Sequence, residues 1–330
     1  MDSVNAMDRS GHKRAAPVTY VCGQPGAPGD LSRTLMRTLG QVALTKSLQE
    51  IKDHPPGAFA VIHYDTLTAG ERRELMDGTS SHPRRPTLLL SGSLSPDELK
   101  DLFSSGALTN VLALSGSAVD VSDLLVTAQK FLRGDIFGLE KYFGWGVEPL
   151  GVRVRGSDGK RPALEAIVEY AASRGVARRL SAGLRVVADE FLTNALYNAP
   201  VDSGGARRFA HWPRTRPVQL ASNEWIDVRY CCDGRRFGLS VADPFGSLAS
   251  ARLQDNLARA FRRGEDQVRE GDGGAGLGFY QILDSLSHLI VNIDPGVRTE
   301  MIGLLDVSGG YRAFASAAKS FNIFEKEGAR

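Results

Sequence analysis

The chain has 330 residues, a formal net charge of +2, and 24% charged against 42% hydrophobic residues. This length predicts about two domains, each able to bury a core of its own. This near-neutral net charge gives no excess of positive charge to attract a polyanion, so no nucleic-acid partner is expected. No apolar run approaches the roughly 20 residues that cross a bilayer, and the polar N-terminus lacks a signal-peptide core. We therefore expect a cytoplasmic protein without a membrane partner.

The first residues, 1–17, are mostly polar, and we predict a disordered tail there. Beyond them, short apolar runs alternate with helical patterns as far as residue 133. Strands are predicted at 18–22, 58–64, 86–91 and 110–114, and helices at 31–39, 71–76, 96–104 and 121–133. Strands that alternate with helices predict a doubly wound parallel sheet, covered by helices on both faces.

The order of these elements, with Gly-Ala at 106–107 before the last strand, resembles the receiver domain of response regulators over 18–133. A working receiver has an acidic pair after its first strand to hold Mg²⁺, an Asp after the third and a Lys after the fifth. This chain has Gly-Gln at 23–24 and Leu-Ser-Gly at 114–116, and Asp65 lies near the acceptor position without acidic neighbours. We therefore predict a pseudo-receiver. The alternative is phosphorylation at Asp65.

The segment between the two halves is rich in aromatic residues. They are Phe131, Phe137, Tyr142, Phe143 and Trp145. Because a flexible linker would not be so aromatic, we predict a connecting segment, 134–148, that packs against one or both domains and sets their relative orientation. The alternative is an interface between subunits, where Tyr, Trp and Phe are enriched, and the chain would then be a homodimer.

Glu190 and Asn194 lie four residues apart in a run, 184–194, that has no Gly or Pro and is apolar on most turns. Such a run predicts a helix, and the spacing places both side chains on one of its faces. An Asn carbonyl oxygen suits Mg²⁺, which takes oxygen ligands, and a carboxylate one turn earlier suits a general base. The simpler alternative is that both side chains only meet solvent.

A strand predicted at 236–243 ends in Asp243, and Pro-Phe-Gly follows it, ending at Gly246. An acceptor fixed at this strand end suits the exocyclic amine of adenine. Farther along, a turn at 295–296 joins two apolar strands, and Thr299 lies at the start of the second.

Between these strands, residues 271–278 contain five glycines and lead directly into a helical run. Gly274, Gly276 and Gly278 are among them. Backbone N–H groups at a helix N-terminus, with no Cβ in the way, form a ready phosphate site. A Gly-rich run alone is more often a flexible loop.

Together these pieces resemble the GHKL ATPase superfamily, the Bergerat-fold group of histidine kinases and anti-sigma-factor serine kinases, over 149–310. The resemblance implies ATP and Mg²⁺ as cofactors, an α/β sandwich, and a C-terminal extension at 311–330. It implies a base at Glu190, a metal ligand at Asn194, a first glycine box with Asp243 and Gly246, a second with Gly274, Gly276 and Gly278, and Thr299 supporting the adenine-binding Asp. The short form is most similar to the anti-sigma branch. Phe245 departs from the pattern, since it stands where the first box has a glycine.

The expected fold is therefore α/β, a receiver-like doubly wound sheet followed by a histidine-kinase-like ATPase sandwich. Two functions remain open. The first is an ATP-binding signalling regulator that controls a protein partner, for example in sigma-factor regulation. The second is a protein serine/threonine kinase of the anti-sigma type, in which Glu190 acts as the base. No histidine precedes the ATP-binding half in a His-Glu or His-Asp helix, so histidine autophosphorylation is not expected.

Overall fold

The computed structural model describes residues 18–21, 42–45, 59–78, 87–105, 110–116, 118–260 and 275–326, together with Arg33, Arg37 and Leu48. Over these residues the chain is a mixed α/β protein, as the sequence predicts. The strands are β1 (Val18–Val21), β2 (Val42–Thr45), β3 (Phe59–His63), β4 (Thr87–Ser91), β5 (Asn110–Ser115), β6 (Ala118–Val119), β7 (Leu150–Val154), β8 (Ile226–Cys232), β9 (Arg236–Asp243), β10 (His288–Asp294), β11 (Arg298–Asp306) and β12 (Ser320–Glu325). The α-helices are α1 (Ala69–Gly78), α2 (Pro96–Ser104), α3 (Val121–Arg133), α4 (Lys160–Ser173), α5 (Arg178–Thr193), α6 (Ser250–Ala260), α7 (Ala275–Ser285) and α8 (Tyr311–Ser316). Two 3₁₀ turns, Tyr64–Thr66 and Leu139–Tyr142, and one π-helical turn, Asn194–Asn198, also occur.

The twelve strands form one sheet in the order β2-β1-β3-β4-β5-β12-β10-β11-β9-β8-β7, with β6 paired to β5 outside this path. The first five strands in this order are parallel to one another. β12 pairs antiparallel with β5 and parallel with β10, and the neighbours from β10 to β7 are all antiparallel. The two halves of the chain are thus joined edge to edge in one hydrogen-bonded sheet.

The strands and helices predicted for the N-terminal half are confirmed where the structure describes them. Helix α2 begins with a capping box, because Ser95 accepts a bond from the Glu98 N–H and the Glu98 side chain bonds back to the Ser95 N–H. The structure adds β2, a run of four residues that is too short for its period to be read from the sequence. The predicted tail, 1–17, and most of the predicted helix 31–39 lie outside the described residues.

Helices α4 to α7 cover one face of the C-terminal strands and form the largest hydrophobic core. Buried positions in α5 recur every three or four residues, at Leu180, Leu184, Val187 and Phe191. This spacing gives α5 one apolar face, as the sequence predicts. Val241 belongs to the same core, so α5 is held against the strand that ends in Asp243.

The predicted connecting segment, 134–148, packs against the other face of the C-terminal strands. Gly238 makes this close approach possible, because a Cβ there would lie 2.6 Å from the ring of Phe143. Tyr142 is buried in the same layer. The prediction that these aromatic side chains pack on a domain is confirmed for Tyr142 and Phe143, whereas Trp145 is fully exposed.

Strand β12 lies in the interior of the sheet, in a segment where the sequence predicts only a C-terminal extension, 311–330. A row of buried polar side chains crosses it. Asn322 donates to Oδ1 of Asn110 in β5 at 3.0 Å, and its own Oδ1 lies 2.5 Å from Nε2 of His288 in β10. These two buried hydrogen bonds connect side chains of three strands, so they favour this one alignment of the strands.

A second polar contact ties α3 to the C-terminal strands. The buried ammonium of Lys130 donates to Oδ1 of Asn292 at 3.1 Å and lies 4.7 Å from the ring centroid of Phe324. Burial lowers the pKa of Lys130 to about 7, and the charge of Glu300 opposes that shift. Glu300 in turn accepts from Asn292 and from the backbone N–H of Gly138, both at 2.9 Å.

Candidate functional site

The predicted site residues lie where strand β9 ends and strand β11 begins, and along helices α5 and α7. Asp243 and Thr299 are direct register partners on adjacent antiparallel strands. Glu190 and Gly278 also meet, although they come from different helices. Gly276 lies in the first turn of α7, and Gly274 lies outside the described residues.

Asp243 is buried at the end of β9, with 7% of its surface exposed. One oxygen accepts the backbone N–H of Phe245 at 2.9 Å, and the N–H of Gly246 also contributes. Burial nevertheless raises the pKa of Asp243 to about 7, since these bonds and the distant guanidinium groups of Arg298 and Arg207 offset only part of the lost hydration.

Thr299 is equally buried, and its hydroxyl has no hydrogen-bond partner among the described residues. A buried polar group left unpaired costs about 1–3 kcal/mol, so such groups are rare in folded proteins and call for an explanation. The hydroxyl lies on the strand position paired with Asp243. A ligand with donor and acceptor atoms in one plane would satisfy both groups at once.

Glu190 projects from the last turn of α5 towards the first turns of α7. A Cβ placed on Gly278 would lie 2.7 Å from its Oε2, so only glycine allows α7 to pass this carboxylate without displacing it. Burial raises the pKa of Glu190, with Asp189 adding to the shift and Lys160 and Arg214 opposing it. A half-buried carboxylate with a raised pKa is suited to the role of a general base.

Asn194 begins the π-helical turn that follows α5. The backbone N–H of Ala199 donates to the carbonyl oxygen of Asn194 at 2.8 Å, a bond across five residues. The side chain of Asn198 donates to Oδ1 of Asn194 at 2.7 Å. The sequence predicts only the helix face shared by Glu190 and Asn194. It does not predict the π turn, although such turns are frequent at functional sites.

Gly246 has a structural role that is clear from its backbone. Its φ is +55°, and a Cβ would lie 2.2 Å from the carbonyl oxygen of Asp294 and 2.5 Å from the N atom of Val297. Its own carbonyl oxygen accepts the N–H of Gly296 at 3.0 Å. Gly246 therefore lets the loop after β9 close on the β10–β11 turn, which keeps Asp243 and Thr299 aligned.

Cationic residues that the sequence does not single out surround the site. The Arg207 guanidinium donates to the carbonyl oxygens of Asn198 and Ser247, which ties the π turn to the loop after Asp243. Lys160 of α4 donates to Oγ1 of Thr193 at 2.6 Å and pairs with Asp189 at 2.9 Å. Neither lies in a motif, because Arg207 comes from the segment after the π turn and Lys160 from α4, 33 residues before Thr193.

Between Asp243 and the glycine-rich run, the sequence predicts a long, arginine-rich lid, 247–273, that ATP would order. The structure describes it as far as Ala260, and this part contains α6. Its apolar side, with Leu253 and Leu257, belongs to the main core. Arg252 and Arg259 are exposed, and Arg259 donates to the Asn256 side chain at 2.5 Å. Other arginines of the predicted lid, Arg262, Arg263 and Arg269, lie outside the described residues.

Asp65, the other predicted position, follows β3 in the N-terminal half. One of its oxygens accepts the hydroxyls of Ser91 and Ser93, and the other accepts the backbone N–H of Gly92 at 2.8 Å. The carboxylate is therefore already hydrogen-bonded to the end of β4 and the residues after it, and a phosphodonor would compete with these bonds. The pseudo-receiver stays a prediction.

The buried Asp243 predicts how stability depends on pH. Its pKa of about 7 in the folded chain lies above the ordinary 3.8, so its contribution is full below about pH 3.8 and is lost as pH rises through about 7. Asp243→Asn cannot ionise. We expect the variant to melt above the wild type at pH 8, with a smaller difference at pH 5. Thermal unfolding of both proteins at both pH values measures this. Equal differences at the two pH values would contradict it.

Comparisons with known proteins assign no family to this chain. No family model matches the sequence, and no curated protein matches it. Within the described ranges, no helix combines the length and apolar character needed to cross a membrane. The function is therefore argued from the geometry of the site.

Proposed function

We propose that the chain binds ATP with Mg²⁺ at the end of the sheet formed by Asp243 and Thr299, and that it acts as a cytoplasmic signalling regulator of a protein partner. One observation carries the proposal. A buried carboxylate and a buried hydroxyl that has no partner in the described part of the chain lie side by side on adjacent strands. Both polar groups are costly to the empty protein, and a purine edge would satisfy them.

The topology supports the resemblances drawn from the sequence. In the N-terminal half, the parallel order β2-β1-β3-β4-β5 is that of doubly wound receiver-like sheets. In the C-terminal half, mostly antiparallel strands carry helices on one face, which is in keeping with an ATPase sandwich of the GHKL type. The site lies at the edge of that second group of strands.

The chain's own residues fit such a cofactor. The Asp243 carboxylate would accept a hydrogen bond from the exocyclic amine of adenine, and the hydroxyl of Thr299 would hydrogen-bond to the same edge of the ring. The N-terminus of α7 and the ammonium of Lys160 would face the phosphates. No group of three or more His, Cys, Asp or Glu in the described part of the chain could hold a metal ion by itself. Mg²⁺ at Asn194 would therefore share its ligands with phosphate and water, and when bound it would neutralise phosphate charge.

A contact between the halves supports a regulatory function. Phe103 of α2 belongs to the same core as Leu253 and Leu257 of α6, the helix of the predicted lid. Its ring also meets Phe321 of β12 edge to face, with centroids 5.0 Å apart. A movement of α6 on nucleotide binding would thus shift α2, and the surface of the N-terminal half that contacts a partner would change with it.

Protein kinase activity of the anti-sigma type is the second candidate, and the environment of Glu190 favours it. Its raised pKa and its place between α5 and α7 suit a general base. In this function Glu190 would take the proton from a serine or threonine hydroxyl of the partner as that oxygen attacks the terminal phosphate of ATP.

Changes at the adenine end test nucleotide binding itself. Asp243→Asn should weaken ATP binding about 10- to 100-fold, because an amide group would oppose the adenine amine with its own N–H donors. Thr299→Val should weaken it about fivefold, the value of one hydrogen bond, without lowering the melting temperature. Thr127→Val, which removes another buried and unpartnered hydroxyl, is the matched control and should bind normally. Calorimetry measures all four proteins. A wild type that binds neither ATP nor ADP at millimolar concentration would refute the proposal.

Glu190→Gln separates the two candidates. If the chain is a kinase, the variant should bind ATP normally and lose turnover by about 100-fold or more, since only the base is removed. Glu169→Gln makes the same change at an exposed carboxylate of α4 and should keep most activity. Labelled ATP with purified chain, Mg²⁺ and candidate partners gives retention and turnover separately. A wild type that binds ATP without turnover would leave the regulator as the function.

Hydrogen exchange tests the coupling between the halves. On addition of ATP and Mg²⁺, the amides of α2 should become more protected together with those of α6, because the two helices share a core. Protection confined to the C-terminal half would argue against regulation through α2.

A further inference from the structure

Three side chains form a hydrogen-bonded chain along the π-helical turn. Arg214 donates from Nη2 to Oδ1 of Asn198 at 3.1 Å. Asn198 donates from Nδ2 to Oδ1 of Asn194 at 2.7 Å. These hydrogen bonds therefore connect Arg214, a cation on the surface, to Asn194, the residue that the proposed function assigns to Mg²⁺.

The donor and acceptor roles in these two hydrogen bonds can be assigned in only one way. A guanidinium group donates hydrogen bonds and cannot accept them, so the atom of Asn198 that faces Arg214 must be the carbonyl oxygen. The NH₂ group of Asn198 must then face Asn194, which has to answer with its own carbonyl oxygen. Arg214 thus fixes the orientation of both amides, which would otherwise be free to flip.

The fold holds Arg214 in place for this purpose. Its guanidinium lies 4.8 Å from the ring centroid of Tyr197, a buried residue of the same π turn. The Tyr197 hydroxyl lies 3.1 Å from the carbonyl oxygen of Arg214 and 3.0 Å from that of Arg216. The loop that carries Arg214 is therefore fastened to the turn that carries Asn194, and the cation–π contact favours one position of the guanidinium.

We propose that Arg214 and Asn198 are positioning residues for the metal–nucleotide complex. They hold Asn194 with its carbonyl oxygen in a fixed direction, and a carbonyl oxygen has two lone pairs. Asn198 occupies one of them, which leaves the second for Mg²⁺. The inference rests on the proposed function, because it assigns residues that support the same site.

The test is the magnesium dependence of ATP binding, taken as the ratio of the Kd in EDTA to the Kd in MgCl₂, measured by calorimetry on the full chain. Loss of a group that supports a metal ligand typically lowers metal affinity 10- to 100-fold. Arg214→Met should lower the ratio by about tenfold while the Kd in EDTA stays at the wild-type value. Arg214→Lys keeps a donor and should restore most of the ratio.

Two further variants make the test specific. Arg216→Met removes the same charge from the same loop, where Arg216 stacks on Trp212 and takes no part in the chain, and should leave the ratio unchanged. Asn198→Asp still accepts a hydrogen bond from Arg214 but can no longer donate one to Asn194. Because a carboxylate can only accept, Asn194 must then turn its NH₂ group towards position 198. We expect this variant to lose magnesium dependence although it adds a negative charge that would by itself attract the cation.

The outcomes separate this inference from the proposed function. A wild type that binds no ATP in either buffer rejects both. A wild type that binds ATP equally in both buffers rejects the positioning role and the magnesium part of the proposed function, but not ATP binding. An unchanged ratio in Arg214→Met, an equal loss in Arg216→Met, or a higher ratio in Asn198→Asp rejects the positioning role alone. Loss of the ratio in Arg214→Met and Asn198→Asp, with its recovery in Arg214→Lys, supports it.

Discussion

The pairing of β12 on both of its sides is the constraint on which the rest of the structure depends. Without this pairing, β5 and β10 would each leave N–H and C=O groups unpaired along one side, which is costly in a folded chain. With it, the buried bonds from Asn110 through Asn322 to His288 align three strands from distant parts of the sequence. The same strand carries Phe321, which meets Phe103, so the two halves share their sheet and also their helical layer.

The candidate site is built at the expense of stability. Asp243 is buried with a raised pKa, Glu190 is half-buried with a raised pKa, and Thr299 keeps a hydroxyl without a partner among the described residues. Each of these would be relieved by an apolar or amide substitution, which is the usual sign that a group is kept for a ligand rather than for the fold. Gly246 and Gly278 show two different reasons for glycine. One lets two backbones pack, and the other leaves room for a carboxylate.

Most of the secondary structure and the spacing of Glu190 and Asn194 could be predicted from the sequence, because both depend on local periodicity. The apolar spacing of α5 places Glu190 and Asn194 on one face, and β9 ends at Asp243. What could not be predicted depends on contacts between distant segments. β12 pairs with a strand more than 200 residues away, as its Ser320 bond to Ala113 spans 207 residues. The orientation of Asn194 depends on Arg214, whose position follows from Tyr197 rather than from any motif.

The direction of the strands decides how the two halves can communicate. β5 is antiparallel to β12, whereas β9 runs the same way as β12, so Asp65 and Asp243 lie at opposite ends of the sheet. The eight residues of β9 alone span about 26 Å at a rise of about 3.3 Å each. Direct contact between the two acids is therefore excluded. Helix α2 covers part of this distance, because it begins just after the residues that bond Asp65 and carries Phe103 in its last turn, against α6. In the proposed regulator, a rearrangement at either end would reach the other as a shift of this one packed helix.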